Sequence, residues 1–488
     1  MLTRSYLDPE SSKSLLAYTP MLHARLFAET QKFREAHFQP TRLENESQKP
    51  WLDGNPSIDR PLFVQFCANK PDELLEAARH VEPYCDAVDL NLGCPQGIAR
   101  SGHYGAFLQE DWDTIHRLIN KLHIELSIPV TAKLRILETK ERTLEYAKMI
   151  LSAGASIITV HARHREQKGH NMGTADWSYI RYLRDNLPQD TVIFANGNIL
   201  NRDDVEPCLK ATGADAIMSA EGNLSDPTIF AKPPPLEQTN REYWRGRNSQ
   251  EGYRIDGVIR RYMNIIYEHV LETTPPKRSE LYLPGDEELP KTFKLGADDI
   301  SHDSGPPTKK YKKEQGPKMS SPSLKVMQGH IFQLLRPMLS THTNIRDSLA
   351  KCRVGDISAF EHVLSMVEDA VKIGLEEYEK ETAKEQAELD SGMRKSQESS
   401  YNTVCSSRNT IAKYKRPWWI CQPYIRMLPE EALRTGALKL SKREMAKAEL
   451  EKEAGNITII RDDTDLGRYE PQESQMRSEF PRPALVCG

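Results

Sequence analysis

The chain has 488 residues, 38% of them hydrophobic, and a formal net charge of −4 from 66 Lys+Arg against 70 Asp+Glu. That length holds two or three domains with at least one sizeable core, and the balanced charge excludes a uniformly basic nucleic-acid binder while leaving room for a local basic patch. Eight cysteines, at positions 67, 85, 94, 208, 352, 405, 421 and 487, form no CxxC pair and no regular framework. This argues against structural disulfides and zinc and for a reducing, cytoplasmic compartment. No apolar run reaches the roughly 18 to 20 residues that span a bilayer, so no membrane association is expected.

Seven short apolar runs then follow in chain order: LLAYTPM (15–21), LFVQFCA (62–68), DAVDLNLG (86–93), PVTAKLRI (129–136), SIITVHAR (156–163), VIFANGN (192–198) and AIMSAEGN (216–223). Helix-like segments such as DELLEAARHV and RTLEYAKMILSAG separate them. Nearly continuous apolar strands alternating with helices predict a parallel sheet covered by helices. Polar residues close almost every run, which favours a TIM (β/α)8-type barrel, whose active site gathers at the C-terminal strand ends, over a doubly wound sheet with a single switch point. Such a barrel has eight strands and seven are counted here. The stretch NESQKPWLDGNPSIDR (45–60) reads as a surface-loop insertion.

The barrel domain is expected over 1–230. After the prolines of KPPPLEQ, the periodicity of IDGVIRRYMNIIYEHVLE (255–272), LKVMQGHIFQLLRPML (324–339) and SAFEHVLSMVEDAVKIG predicts a small helical domain over 241–373. Residues 275–323, rich in Pro, Gly and charge, are expected to be a disordered insertion. Beyond 374 a charged, mostly disordered tail is expected, apart from an aromatic island, KRPWWICQPYIRML (415–428).

Single residues at the strand ends admit bland readings. Gln65 fits a hydrogen-bonded core amide, His161 a satisfied core histidine, and the glycines of ANGNI and SAEGN ordinary turns. Together they fit the needs of a flavin mononucleotide: a cation, Lys133, beside the isoalloxazine N1 and O2, ring partners in Gln65 and His161, and glycine-containing backbone after the last two strands to cradle a phosphate. Cys67 and Cys85 read as small core hydrophobes. Cys94 differs in its position: it follows a glycine at a strand end and precedes a proline and a loop with Gly102 and Gly105. A thiol there can give a proton to one carbon of an activated double bond while hydride reaches its neighbour.

These residues resemble the tRNA-dihydrouridine synthases. The run D-L-N-L-G-C-P followed by G-H-Y-G-A-F-L is similar to that family's signature, and VQFCAN, VTAKLR, TVHARHREQKG, FANGNI and MSAEGN extend the likeness over roughly 15 to 230. Within the family the chain most resembles the eukaryotic branch acting at tRNA positions 16 and 17. The resemblance implies a flavoenzyme using FMN and NADPH, in which Cys94 protonates uracil C5 while C6 receives hydride. It implies flavin contacts from Gln65, Lys133 and His161, phosphate loops lined by Asn196, Gly197, Asn198, Ala220 and Glu221, and substrate contacts from Asn91, Arg135 and Arg163. A target uracil must leave the RNA stack to reach such a pocket. Holding the tRNA falls to basic side chains such as Arg260, Arg261, Lys325, Arg336 and Arg346 of the helical domain. KKYKK (309–313) has a nuclear signal as one reading; no obligate protein partner and no metal are implied.

One element of the family pattern is missing: a first strand with an Ala-Pro-Met-type turn. YTPM (18–21) continues as the family's second strand does, so the expectation is a barrel lacking its first strand, with two unpaired edges, from a shortened gene model, a fragment or an inactive form. Two other functions therefore stand beside the synthase: a catalytically inactive tRNA-binding protein, and an FMN-barrel reductase of a small pyrimidine or enone.

Overall fold

The structure is a computed structural model that describes residues 1–169, 172–237, 240–245, 251–286, 321–339, 341–390 and 420. Helix α1 (Pro9–Ser14), capped by Asp8, leads into strands β1 (Ala17–Tyr18) and β2 (Leu22–His23), then α2 (Ala24–Glu29) and α3 (Gln31–His37). A hairpin, β3 (Thr41–Glu44) and β4 (Ser47–Pro50), precedes β5 (Leu62–Cys67), α4 (Pro71–Val81), β6 (Ala87–Leu92), α5 (Gly97–Gly102), α6 (Trp112–Glu125) and β7 (Val130–Arg135). The alternation continues with α7 (Lys140–Ser152), β8 (Ile157–His161), α8 (Ser178–Asn186), β9 (Val192–Asn196), α9 (Val205–Thr212), β10 (Ala216–Met218) and α10 (Glu221–Ser225). A second hairpin, β11 (Tyr243–Arg245) and β12 (Glu251–Tyr253), opens the helical part: α11 (Ile255–Ile265), α12 (Pro322–Leu334), α13 (Arg336–Leu339), α14 (Thr343–Lys351) and α15 (Ile357–Asp390).

The parallel sheet runs β1-β5-β6-β7-β8-β9-β10, and β2 also pairs with β5. β1 and β2 are therefore two pieces of one strand position, with Ala17 opposite Leu62 and His23 opposite Cys67. Proline 20 explains the break, because it has no N–H for a ladder. Beside it the Thr19 hydroxyl accepts the Gln65 backbone N–H at 3.0 Å, in place of a backbone carbonyl. Seven strand positions match the seven apolar runs. Among the described residues no strand joins β10 to β1 or β2, so the barrel sheet is open at that seam.

Register divides the sheet's two faces. Gln65, Asp89 and Thr131 stand opposite one another, as do Asn91, Lys133 and Thr159, and Arg135, His161 and Asn196. Alternation along each strand puts all nine on one face. The residues between them, such as Val64, Leu90, Ala132, Val160 and Ala195, belong to the apolar core shared with helices α4, α6, α7 and α8. The strands read as continuous apolar runs because their polar positions are few and are buried as well.

A second core joins α11, α12, α14 and α15, and includes Tyr6, Leu52 and Trp244 from outside the helices. Four expectations change here. The 45–60 insertion is not a loose surface loop: it forms most of the first hairpin and then brings Trp51 and Leu52 onto this second core. Residues 275–286, expected to be disordered, are tied down: Arg278 pairs with Glu361 at 2.7 Å, Arg241 with Asp286, and Leu281 is buried. Position 374 lies inside α15, where Leu375 is fully buried, so the tail starts later than predicted. Finally, residues 1–7 pack against the helical core and not within the barrel. Residues 287–320, with KKYKK, and the aromatic island except buried Ile420 lie outside the described residues.

The N-terminal segment also spans the seam. Thr3 Oγ1 donates to Asn223 Oδ1 in α10 at 2.9 Å, while Arg4 donates to the carbonyls of Pro61, ahead of β5, and Ser12, both at 2.8 Å. Tyr6 packs edge-on against Tyr253 and lies under the Arg261 guanidinium, but its buried hydroxyl has no partner among the described residues. Tyr6→Ala is therefore expected to cost about 3 kcal/mol, whereas Tyr6→Phe, which removes only the orphan hydroxyl, is expected to be neutral or mildly stabilising. Denaturant unfolding of the two variants against wild type checks both values.

Candidate active site

The site begins where β6 ends. Asn91, the fifth residue of β6, turns its side chain along the loop, and its Oδ1 accepts the backbone N–H groups of Gly93 (3.1 Å) and Cys94 (2.9 Å). Asn91 Nδ2 donates to Gln65 Oε1 at 2.7 Å, and Gln65 Nε2 donates to Asp89 Oδ2 at 2.8 Å. Thr131 Oγ1 donates to the other carboxylate oxygen of Asp89 at 2.6 Å. All of these side chains are buried. Burial raises the Asp89 carboxyl to about 6 despite the bonds from Thr131 and Gln65 and the neighbouring charge of Lys133.

The loop after Cys94 folds back on it. Ala106 N–H donates to Cys94 O at 3.1 Å, and Gly105, at φ +64°, lies so close that an added Cβ would be 2.9 Å from both Cys94 Cβ and Cys94 O. Cys94 is fully buried in a small cluster with Cys67, Ala99 and Tyr104. Burial, with Cys94 next to it, pushes the Cys67 thiol up to about 12. His23 sets its ring edge against Tyr104, with centroids 5.5 Å apart.

Basic side chains lock the β8–α8 loop over this one. Arg135 donates through Nε to Gly93 O (2.8 Å) and through Nη1 to His164 O (2.9 Å) and Gln167 O (3.1 Å). Lys168 Nζ donates to Pro95 O at 2.8 Å and Arg165 Nη1 to Ala106 O at 3.3 Å. Thus the carbonyls on both sides of Cys94 are held by cations from one neighbouring strand and loop.

Across the sheet face, Arg163 Nη1 lies 3.0 Å from His161 Nε2, its Nη2 donates to Asn198 Oδ1 at 2.6 Å, and the Gly173 carbonyl accepts as well. A guanidinium only donates, so His161 Nε2 is the acceptor and the ring's proton sits on Nδ1. The turn after β9 needs its glycine: Gly197 has φ +115°, and a Cβ there would come within 2.7 Å of Ala175 Cβ. Gly222 is similarly closed, 2.5 Å from Ile199 O. Asn196 Nδ2 donates to Met218 O at 2.9 Å, while its buried Oδ1 has no partner among the described residues. Ala220 and Glu221 follow β10 closely, Ala220 as the N-cap and Glu221 as the first residue of the five-residue α10.

The structure therefore brings Gln65, Asn91, Lys133, Arg135, His161 and Asn196 to one face, with Cys94, Arg163, Gly197 and Asn198 in the loops beyond it. Arg135 and Arg163 are both buried and brace loops from within. Asp89, Thr131, Thr19 and Lys168 were missed from sequence. Asp89 was accessible, since D-L-N places it two residues before Asn91 on the same face. Of the basic residues expected to hold RNA, Arg260 pairs with Glu368 and Arg261 with Glu242, and Arg346 contacts its neighbour Asp347. Among the described residues no three His, Cys, Asp or Glu side chains could hold a metal, and no helix is long and apolar enough to cross a membrane.

The family profile described as dihydrouridine synthase matches residues 3–269. The chain is 42% identical over 412 residues to tRNA-dihydrouridine(16/17) synthase of Saccharomyces cerevisiae, covering 84% of this chain and 78% of that one. The Schizosaccharomyces pombe protein of the same name is 41% identical, with 85% and 82% covered. The mouse protein named as similar to that synthase is 33% identical, with 89% and 68% covered.

Gly105→Ala joins a left-handed backbone penalty of roughly 1 to 2 kcal/mol to a collision with Cys94. It is expected to lower the thermal midpoint and to raise the alkylation rate of Cys94 above that of Cys208, read by mass spectrometry after iodoacetamide treatment.

Proposed function

Because the chain belongs to the dihydrouridine synthase family, we propose that it reduces the C5–C6 double bond of uridine in the D-loop of tRNA, at positions 16 and 17. The observation that carries this reading is Cys94, held by Asn91 at the end of β6 on the sheet face that also bears Lys133 and His161. FMN fits the remaining residues. The closed backbone at Gly197 and Gly222 and the orphan Asn196 Oδ1 suit its phosphate and ribityl chain, and Gln65, Lys133 and the Nδ1–H of His161 are donors suited to its ring. When bound, FMN supplies the hydride for C6, and NADPH restores it.

The chain's own residues do the rest. Cys94 gives its proton to C5, which requires the protonated thiol and a fixed loop; Arg135, Lys168 and Arg165 hold that loop through its carbonyls. The uracil leaves the stack and is brought against the Cys94 loop, where burial of the thiol excludes water and favours proton transfer to carbon. We assign phosphate contacts to the exposed Lys325 and Arg336 of the helical domain; Arg260 and Arg261 form ion pairs within the protein. The five described cysteines are all free thiols, which fits the reducing cytoplasm in which we place the reaction.

The purified protein is expected to carry flavin absorbance and to form dihydrouridine on unmodified tRNA but not on free uridine. Cys94→Ala is expected to retain the flavin and lose at least about 100-fold in turnover, the usual worth of a positioned general acid. A colourless protein that still binds tRNA would identify a binding module without catalysis. Activity on free uridine alone would identify a small-molecule reductase. Gly197→Ala is expected to fold but to lose more than about ten-fold in flavin affinity, because the new Cβ collides with Ala175 and displaces the β9 turn and His161; fluorescence titration with FMN reads the change.

A further inference from the structure

We infer that Asp89 is a positioning residue: its carboxylate fixes, through the side-chain amides of Gln65 and Asn91, the hydrogen-bond sense of the loop that presents Cys94. The inference rests on the reading of Cys94 as the reactive thiol, and its geometry is complete among the described residues.

An ionised carboxylate only accepts hydrogen bonds, whereas a primary amide donates at one tip and accepts at the other. Asp89 therefore leaves Gln65 one choice. Nε2 faces the carboxylate at 2.8 Å, so Oε1 faces away and takes the Asn91 Nδ2–H at 2.7 Å. Asn91 in turn has only Oδ1 left for the loop, where the N–H groups of Gly93 and Cys94 need an acceptor. If either amide turned over, a donor would face a donor in a buried site, and at least one polar group would lose its partner. The backbone N–H groups of Gly93 and Cys94 set the sense from the loop end, and the carboxylate sets the same sense from the core end, so the chain is pinned at both ends only while Asp89 is ionised.

Charge at this depth works against folding. The Asp89 carboxyl titrates at about 6 in the folded chain against an ordinary 3.8, with burial as the largest cause. Its ionised form is therefore disfavoured by folding, and the stability lost grows as pH rises between these values. The charged groups facing it are few: Lys133 from β7, and Tyr18 from β1, whose phenol is itself driven further up by burial and by Asp89. Below about 6 Asp89 becomes protonated and gains a donor. The pin at the core end is then lost.

Asp89→Asn in the full chain tests this, with Thr131→Val as the companion that removes one donor to the carboxylate but keeps the charge. The first readout needs neither flavin nor tRNA. In Asp89→Asn, iodoacetamide is expected to alkylate Cys94 about ten-fold faster than in wild type, the worth of one charge-assisted bond, with Cys85 and Cys208 unchanged. Thr131→Val is expected to stay within about two-fold of wild type, because the carboxylate still orients Gln65. The second readout is dihydrouridine formation on tRNA. Asp89→Asn is expected to lower kcat about ten-fold or more while the KM for tRNA changes little, and to lack the wild-type fall in kcat on the acid side of pH 6. Unchanged alkylation of Cys94 together with unchanged kcat, an acid limb that persists in Asp89→Asn, or equal effects from Thr131→Val would each overturn the inference. If wild type forms no dihydrouridine, the functional reading fails, and the alkylation comparison alone decides the role of Asp89.

Discussion

Burying charge is tolerated only where partners surround it, and this constraint shapes the described barrel face. Asp89, Lys133, Arg135 and Arg163 are all buried there. A carboxylate or guanidinium taken from water without compensation costs several kcal/mol. For Asp89 the compensation comes from the Gln65 and Thr131 side chains, and for the two arginines largely from backbone. Arg135 draws in the carbonyls of Gly93, His164 and Gln167, and Arg163 those of Met172 and Gly173. Loops that would otherwise wander are thereby held to fixed points on the sheet. The course of the loops around Cys94 is thus a consequence of satisfying buried cations as much as of loop sequence.

The second consequence concerns the open seam. A sheet that ends at β10 on one side and at the β1–β2 position on the other presents unpaired backbone, which proteins ordinarily cover. Here the first seven residues reach both flanks, through Thr3 to α10 and through Arg4 to Pro61, and are themselves pinned by Tyr6 to the helical core. Among the described residues the helical domain is joined to the barrel by this segment, by Trp51 and Leu52 just after the first hairpin, by the chain running through Ala231 and by the packing of α10 on α12. A buried ion pair, Arg254 with Asp256, anchors the start of α11, and Arg254 also donates to Tyr282 O. That bond helps explain why the chain around 282 is ordered.

Most of the barrel was legible because parallel strands announce themselves as apolar runs and their C-terminal ends as polar punctuation. The runs at 62–68, 86–93, 129–136 and 192–198 contain the observed strands within two residues at each end. Pro20 hid the division of the first position, since a Thr hydroxyl that accepts a strand N–H in place of a backbone carbonyl has no sequence signature. Composition misled at 275–286: few apolar residues predict disorder, yet Arg278 with Glu361 and Arg241 with Asp286 bind this stretch through charge. At the site, residue types told which side chains matter but not what they touch. Arg135 and Arg163 looked like substrate contacts because arginine at a strand end so often is one; their burial and carbonyl partners become visible only when the loops are placed. Asp89 was overlooked for the opposite reason, since an aspartate inside an apolar run looks like an interruption until the register sets it beside Gln65.

The two sides of the face have anchors of opposite character. At β6 the terminus of the network is a carboxylate, which only accepts; at β8 it is the Arg163 guanidinium, which only donates, to His161 Nε2 and Asn198 Oδ1. An acceptor-only anchor turns the next amide's nitrogen toward itself. A donor-only anchor takes the imidazole's lone pair and leaves the proton on Nδ1. Neither orientation can relax without stranding a buried polar atom, so the donor and acceptor pattern offered to a ligand is set before any ligand arrives. The polar tips so set, the Gln65 amide nitrogen and the His161 Nδ1–H, are donors. A face built this way favours a partner rich in acceptor atoms that gains negative charge as it reacts, and disfavours a cationic one.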